Sequence, residues 1–411
     1  MKLSTRLGYP LLVLALTACR RESIREIAIP PTAASLEELW GQLGAIEMVP
    51  RRTSRAAMLS VAGLSRKTWD LSAQACTRPR EHGPLDTDTL AITDIEFEAG
   101  PRQVLFHPPQ IGKPTVILVH GLFDSKYAGY IETTAALLLE QGYGIVAPDM
   151  RWHGCRFADT PPSLGPKEAD DLAAIARWVQ RDHPNSDIGL VGFSLGAMFV
   201  SHALARDDAK ELFVAGGVVF SPPGNLEYTV DWLDRRFSDI YSLAFRGWLR
   251  QRLNLAQIPW RRGAEFRSAV DWLALHAGYK DPAEFLGDAD LGRILPRVSR
   301  PLQVYTSDDD PYFTIAAGTY LTQAAANSCY VHVQSTPFGG HIAHSIVDPE
   351  WFATSVLTFF ASSPELDCDG LQMWAKTHAP LDREMHGKLH ARLQALASLP
   401  VRYHNNAAPG S

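Results

Sequence analysis

The run from Asp187 to Ala205 constrains this chain more than any other stretch. A strand pattern ends in Gly192-Phe193-Ser194-Leu195-Gly196 and passes without a linker into Leu195 to Ala205, whose apolar residues suit a buried helix. A strand that turns directly into a helix around such a pentapeptide must bend sharply, and side chains larger than glycine would clash inside the bend. Ser194 is then expected at the apex, its hydroxyl exposed above the end of a sheet beside a helix N-terminus that favours developing negative charge. The pentapeptide alone is common, and a serine capping a helix is its plainer use. The flanking strand and helix give it weight.

The neighbouring residues supply that sheet. Thr115 to His120 (TVILVH) is a continuous apolar run between Pro114 and Gly121, and Tyr143 to Pro148 (YGIVAP) is a second. Continuous runs of this kind suit strands buried on both faces of a parallel sheet. Val104-Leu105-Phe106, Val214 to Phe220, Leu302 to Thr306 and Cys329 to Gln334 read as further strands. Tyr130 to Gln141, Glu168 to Arg181 and Trp351 to Ala361 read as helices between or after them. Strand–helix alternation predicts an α/β fold with right-handed crossovers. Between Phe220 and Pro301 the alternation breaks into a Trp-, Phe- and Arg-rich stretch that reads as inserted helices, either plain packing on the sheet or a cap over a site. Before Ile95, Ala33 to Leu43 and Arg55 to Ala75 look helical and Glu81 to Thr89 looks like a loop. After Ser362 a polar tail carries a helical pattern over Arg383 to Leu396. With 46% hydrophobic and 20% charged residues the chain is ordinary for a globular protein, and its net charge of −6 gives no basic field for nucleic acid.

A serine hydroxyl is a weak nucleophile unless a base takes its proton. In the order Ser…Asp…His, the acid and base must lie further along the chain. Ser307-Asp308-Asp309-Asp310-Pro311 follows the strand ending at Thr306, where α/β sheets place their sites. Gly339-Gly340-His341-Ile342-Ala343-His344 follows the last core strand. His341 is the candidate base, with His344 as the fallback. Any of the three aspartates could orient it, although Asp-Asp-Pro is also good turn chemistry. Backbone donors for a developing oxyanion are expected at Leu195, directly after the serine, and at Leu122, in the loop after TVILVH. His120 is expected to position that loop, and His153 to be an exposed or turn residue. The pairs Arg235-Arg236 and Arg261-Arg262 read as solvated faces.

These motifs resemble the α/β-hydrolases over roughly Ile95 to Ser362, and within them the YheT-like branch of esterases. The residues behind the finer resemblance are HGLFDSKYAGYI (120–131), DMRWHG (149–154), DDLAAIARWV (170–179), GFSLG (192–196), AGYKDPAEF (277–285), DDP (309–311) and GGHIAH (339–344). The resemblance implies a mostly parallel sheet flanked by helices with a helical cap insertion at about 221–300. It also implies hydrolysis of carboxylic esters, often of acyl chains, without a cofactor. It assigns the catalytic acid to the Asp beside the proline, Asp310, with Asp309 next, to serve Ser194 and His341. Two positions depart from the branch: Trp152 and Ala197 stand where glycine is usual. A non-catalytic binding scaffold and an acyltransferase are the alternatives to a hydrolase.

The N-terminus reads as an address. Lys2 and Arg6 precede a short apolar run, Tyr9 to Leu16, and then Leu16-Thr17-Ala18-Cys19. This resembles the bacterial lipoprotein box, which implies cleavage after residue 18 and acylation of Cys19. With Arg20-Arg21 next, it also implies outer-membrane retention facing the periplasm of a Gram-negative cell. The expected organisation is therefore a signal peptide at 1–18, a partly helical extension at 19–94, the α/β domain at 95–362 and a tail at 363–411. The expected partners are a small-molecule or lipid ester and, through Cys19, a membrane; oligomeric state is left open. Cys76, Cys155, Cys329 and Cys368 contain no CxxC, so a metal site is not expected. In an oxidising compartment Cys329 and Cys368 are the candidate disulfide pair, with buried free thiols as the alternative.

Overall fold

Five runs of apolar residues decide the architecture. β3 (Thr115–Val119), β4 (Gly144–Pro148), β5 (Ile188–Phe193), β6 (Gly217–Phe220) and β7 (Leu302–Ser307) are buried at every position, as strands covered on both faces must be. In the computed structural model they join β1 (Ala91–Phe97), β2 (Gly100–His107) and β8 (Val331–Thr336) in one sheet of order β1-β2-β4-β3-β5-β6-β7-β8. The structure describes residues 31–50, 89–97, 100–122, 124–156, 163–235, 246–247, 249–250, 265–313, 315–362 and 368. The chain divides into two compact units, Met1–Asp367 and Cys368–Ser411, and the sheet belongs to the first. Strands β3 to β8 run parallel, while β1 and β2 form an antiparallel hairpin that joins the sheet through β4. The fold is an α/β-hydrolase fold.

Helices cover the sheet as the alternation predicts. α1 (Leu36–Gly44) precedes it; α2 (Gly129–Glu140), α3 (Pro166–Asp182) and α4 (Leu195–Leu204) connect β3, β4, β5 and β6 in turn. α5 (Leu226–Arg235), α6 (Phe266–His276) and α7 (Pro282–Asp288) lie in the stretch between β6 and β7. α8 (Ile315–Ala325) crosses from β7 to β8, and α9 (Pro349–Ala361) ends the unit. α1 buries Leu36, Leu39 and Leu43 behind a Ser35 N-cap. Its Trp40 stacks on His332, and Trp351 Nε1 of α9 donates to Ile46 O at 3.2 Å.

Some elements differ from the sequence reading. β1 was not expected as a strand, because it is a sheet edge whose Asp94 and Glu96 break up the apolar pattern while only Ile95 and Phe97 are buried. α8 was also missed. β6 starts at Gly217 rather than Val214, since Gly216 turns the chain at φ 67 just before it. The helices expected over Arg55 to Ala75 and Arg383 to Leu396, the loop at 81–88, and Cys19 with its signal lie outside the described residues. Cys329 and Cys368 are each disulfide-bonded.

A buried ionic layer lies under the C-terminal ends of β3 and β4. Lys126 Nζ sits 2.6 Å from Asp149 Oδ2, and Lys126 N donates to the other carboxylate oxygen at 2.8 Å. Arg151 grips Asp171 with two bonds of 2.9 and 2.8 Å, and Arg156 Nη1 adds a third at 2.8 Å. All five side chains are almost fully buried. Removing one partner of such a cluster strands charge in a poorly solvated place. Asp171→Asn is therefore expected to lower stability by about 3–5 kcal/mol, read as a drop in the urea midpoint. A loss within the range of ordinary surface substitutions, below about 0.5 kcal/mol, would contradict this role.

Candidate active site

Ser194 sits at the strand-to-helix bend with φ 53 and ψ −118. A non-glycine residue held there stores strain on the order of 1–3 kcal/mol. Two glycines make the bend possible. A Cβ on Gly196 would run into the carbonyls of Val119 and His120, and one on Gly192 would lie 2.7 Å from Gly196 O. Ser194 N donates to Phe220 O at 2.9 Å, so β6 pins the bend from the other side.

The expected partners converge on this serine. His341 Nε2 lies 2.8 Å from Ser194 Oγ, and His341 Nδ1 lies 2.9 Å from Asp310 Oδ2. With Nδ1–H donating to the carboxylate, Nε2 is left to accept from the serine hydroxyl. The Asp310 side chain is fixed in turn: its Oδ1 accepts from Tyr312 N at 2.8 Å and Phe313 N at 3.1 Å. The rings of Tyr312 and Phe313 both stand edge-on to the imidazole at 4.9 Å. Asp309 does something else, accepting from Gly340 N at 2.8 Å and so shaping the loop that carries His341. Asp308 accepts from Ser335 Oγ. Among the three aspartates, geometry therefore singles out Asp310.

The remaining histidines divide cleanly. His344 Nε2 lies 2.9 Å from Ser307 Oγ in a fully buried position, where desolvation, helped by the charge of nearby His341, holds its pKa down to about 3. It stays neutral and structural. His120 accepts from Met150 N through Nε2 at 3.1 Å, which leaves Nδ1–H to donate to Gly121 O at 2.8 Å. It thereby braces the loop after β3, as expected. His153 lies in a turn as expected, its N–H donating to Met150 O at 3.1 Å, but it is buried rather than exposed, with Nδ1 2.7 Å from Arg151 O.

The same loop shows which amide is free to act. Gly121 N donates to Tyr130 OH at 3.0 Å, so that donor is already used. Among the described residues, no backbone acceptor engages Leu122 N or Leu195 N, and both residues line the pocket beside Ser194. A reacting carbonyl oxygen at that point could take both.

The pocket occupies about 880 Å³, counted out to its open mouth. None of the described residues lining it is Asp, Glu, Lys or Arg. α5 and α6 supply mostly aliphatic side chains, such as Leu226, Val230, Leu233 and Leu273, and the only aromatic side chain among those described from the insertion is Phe266. Arg235 is exposed as expected; Arg236, Arg261 and Arg262 lie outside the described residues. Backbone strain concentrates here too. Trp152, Leu164, Ser194, Ser221 and Ile342 are the described non-glycine residues with positive φ; three line the pocket, and Ser221 Oγ accepts from Ile342 N beside His341. Sequence reasoning missed Leu164, Tyr130 and the buried ion pairs; the only signal was that Asp149 and Arg151 come directly after the apolar strand β4. Among the described residues no group of three or more His, Cys, Asp or Glu is placed to hold a metal.

A fold and a site of this kind define a hydrolase of the α/β class. The model of the alpha/beta hydrolase family matches residues 116–356, and the chain belongs to that family. The chain is 25% identical over 270 residues to the Escherichia coli (strain K12) protein named "Putative esterase YheT", covering 61% of this chain and 74% of that protein. The esterase Pf2001 of Pyrococcus furiosus is similar in structure, with a TM-score of 0.49 and 22% identity over 68% of this chain and 95% of its own. Pyrococcus horikoshii acylaminoacyl peptidase has a TM-score of 0.50 at 18% identity, covering 68% of this chain and 42% of that one.

Asp310→Asn should leave the His341 ring with the wrong tautomer facing Ser194. The rate at which a fluorophosphonate labels Ser194 is expected to fall on the order of 10⁴-fold. Asp309→Asn, which only loosens a loop, should leave that rate far less affected. Equal losses in the two variants would contradict the assignment.

Proposed function

We propose that this protein is a serine hydrolase of carboxylic esters with apolar acyl groups. The observation that carries the reading is the hydrogen-bonded chain Ser194–His341–Asp310, at 2.8 and 2.9 Å, opening onto a pocket whose described lining residues include no Asp, Glu, Lys or Arg. His341 takes the Ser194 proton as Oγ attacks the ester carbonyl. The oxyanion that forms is held by the Leu122 and Leu195 amides. His341 then protonates the departing alcohol, leaving an acyl-serine. Water, deprotonated by the same imidazole, attacks that ester and releases the acid and the free serine. Asp310 keeps Nδ1 protonated and steadies the imidazolium through both transfers.

Support also comes from family membership and the similarity to a YheT esterase. The reading extends to a lipid-anchored enzyme of the cell envelope. That part rests on the sequence pattern Lys2, Arg6, Tyr9 to Leu16 and Leu-Thr-Ala-Cys19. No helix among the described residues is long and apolar enough to cross a membrane.

The test is hydrolysis of p-nitrophenyl esters from acetate to palmitate, by the chain without residues 1–19 and by its Ser194→Ala variant. Turnover that disappears in the variant is the expected result. Equal background rates in the two proteins across the whole series would contradict the reading and favour a binding scaffold.

A further inference from the structure

Trp152 and Leu164 are large apolar residues in a backbone region that side chains of their size rarely adopt, at φ 63 and φ 58. Both line the pocket that contains Ser194 and His341. Both follow β4 in the chain, and the residues next to each are tied down by hydrogen bonds. On one side of Trp152, Arg151 is locked on Asp171 by two bonds, while His153 N donates to Met150 O across the turn. Around Leu164, the buried Glu168 carboxylate accepts from Ser163 N, Ser163 Oγ and Gly165 N at 2.9, 2.6 and 2.9 Å. Glu168 and Asp171 stand one turn apart on α3, so a single helix face holds both strained residues in place. Strain that persists because the surroundings over-determine it, and that sits at a site, points to a use.

Strand order indicates which part of a substrate they would meet. Ser194 stands at the end of β5. Trp152 follows β4, beyond β3 on one side, whereas Asp310 and His341 follow β7 and β8 on the other. His341 must protonate the leaving alcohol, so the alcohol faces the β7–β8 side. The acyl group then points away, toward the Trp152 side.

We propose that Trp152 and Leu164 form the acyl-side wall of the pocket and set the length and bulk of the acyl chain it admits. This rests on the ester-hydrolase reading above. The indole occupies volume that a longer or branched chain would need, and glycine at the same φ carries no strain.

The experiment compares full-chain wild type, Trp152→Gly, Trp152→Phe and Leu164→Gly on two ester series. One varies the acyl chain with p-nitrophenol as the constant leaving group; the other varies the alcohol of butyrate esters. In Trp152→Gly and Leu164→Gly the ratio of kcat/KM for long over short acyl chains is expected to rise tenfold or more, the scale of a methylene-sized change in an apolar pocket. Trp152→Phe should fall between wild type and Trp152→Gly. Alcohol preference should not change. An unchanged acyl profile in folded variants, or a shift in alcohol preference instead, would overturn the proposal. Should Trp152→Gly not fold, Trp152→Phe and Leu164→Gly decide on the same criterion. Absence of any Ser194-dependent turnover in the wild type would count against the hydrolase reading itself, a result distinct from an intact enzyme with an unaltered profile.

Discussion

The close approach of α4 to the ends of β3 and β5 is the constraint on which the rest of the site depends. It requires glycine at 192 and 196, since any Cβ there would strike backbone or the helix itself. It forces Ser194 into a strained conformation that lifts its hydroxyl clear of the sheet, within 2.8 Å of His341. The same bend sets the first amide of α4 beside the serine, opposite the loop after β3. His341, Asp310 and the Leu122 amide are then brought up to the serine from beyond the ends of three further strands, β8, β7 and β3. Geometry of this precision comes from packing, because the interior is too dense to accommodate drift.

Strain at the site is matched by rigidity beneath it. The Lys126–Asp149 pair and the Arg151–Asp171–Arg156 cluster are buried charges, a costly way to build a core. They tie the loop after β3 to the end of β4, and β4's following turn to α3. That is where Trp152 and Leu164 must be held against their own conformational preferences. An apolar core in the same place would give comparable stability without fixing the turn, because dispersion forces lack direction.

Much of this was legible in the sequence, and the reasons are specific. Ser194, the acidic run Asp308 to Asp310 and His341 could be picked out because each follows a segment that reads as a strand, the first two after largely apolar runs. Leu122 and Leu195 followed from their positions next to such runs. The choice among Asp308, Asp309 and Asp310 could not be made from spacing, since adjacent residues differ only in where their side chains point. The structure separates them by their partners, Ser335, Gly340 and His341. β1 was hidden because an edge strand with one wet face carries too few apolar residues. The buried ion pairs were hidden for a different reason: Arg151 and Asp171 are 20 residues apart, and no periodicity links two charges across a turn and a helix. The backbone conformations of Trp152 and Leu164 run against what their residue types favour, so only the fold could reveal them.

The central claim is that Ser194 carries the acyl group during turnover. Its most direct test is mass spectrometry of the protein quenched in acid during the hydrolysis of a slow p-nitrophenyl ester. The account predicts a mass increase equal to one acyl group, located by peptide mapping on Ser194 and absent from Ser194→Ala. Hydrolysis without any acylated protein, or with the acyl group on another residue, would contradict it.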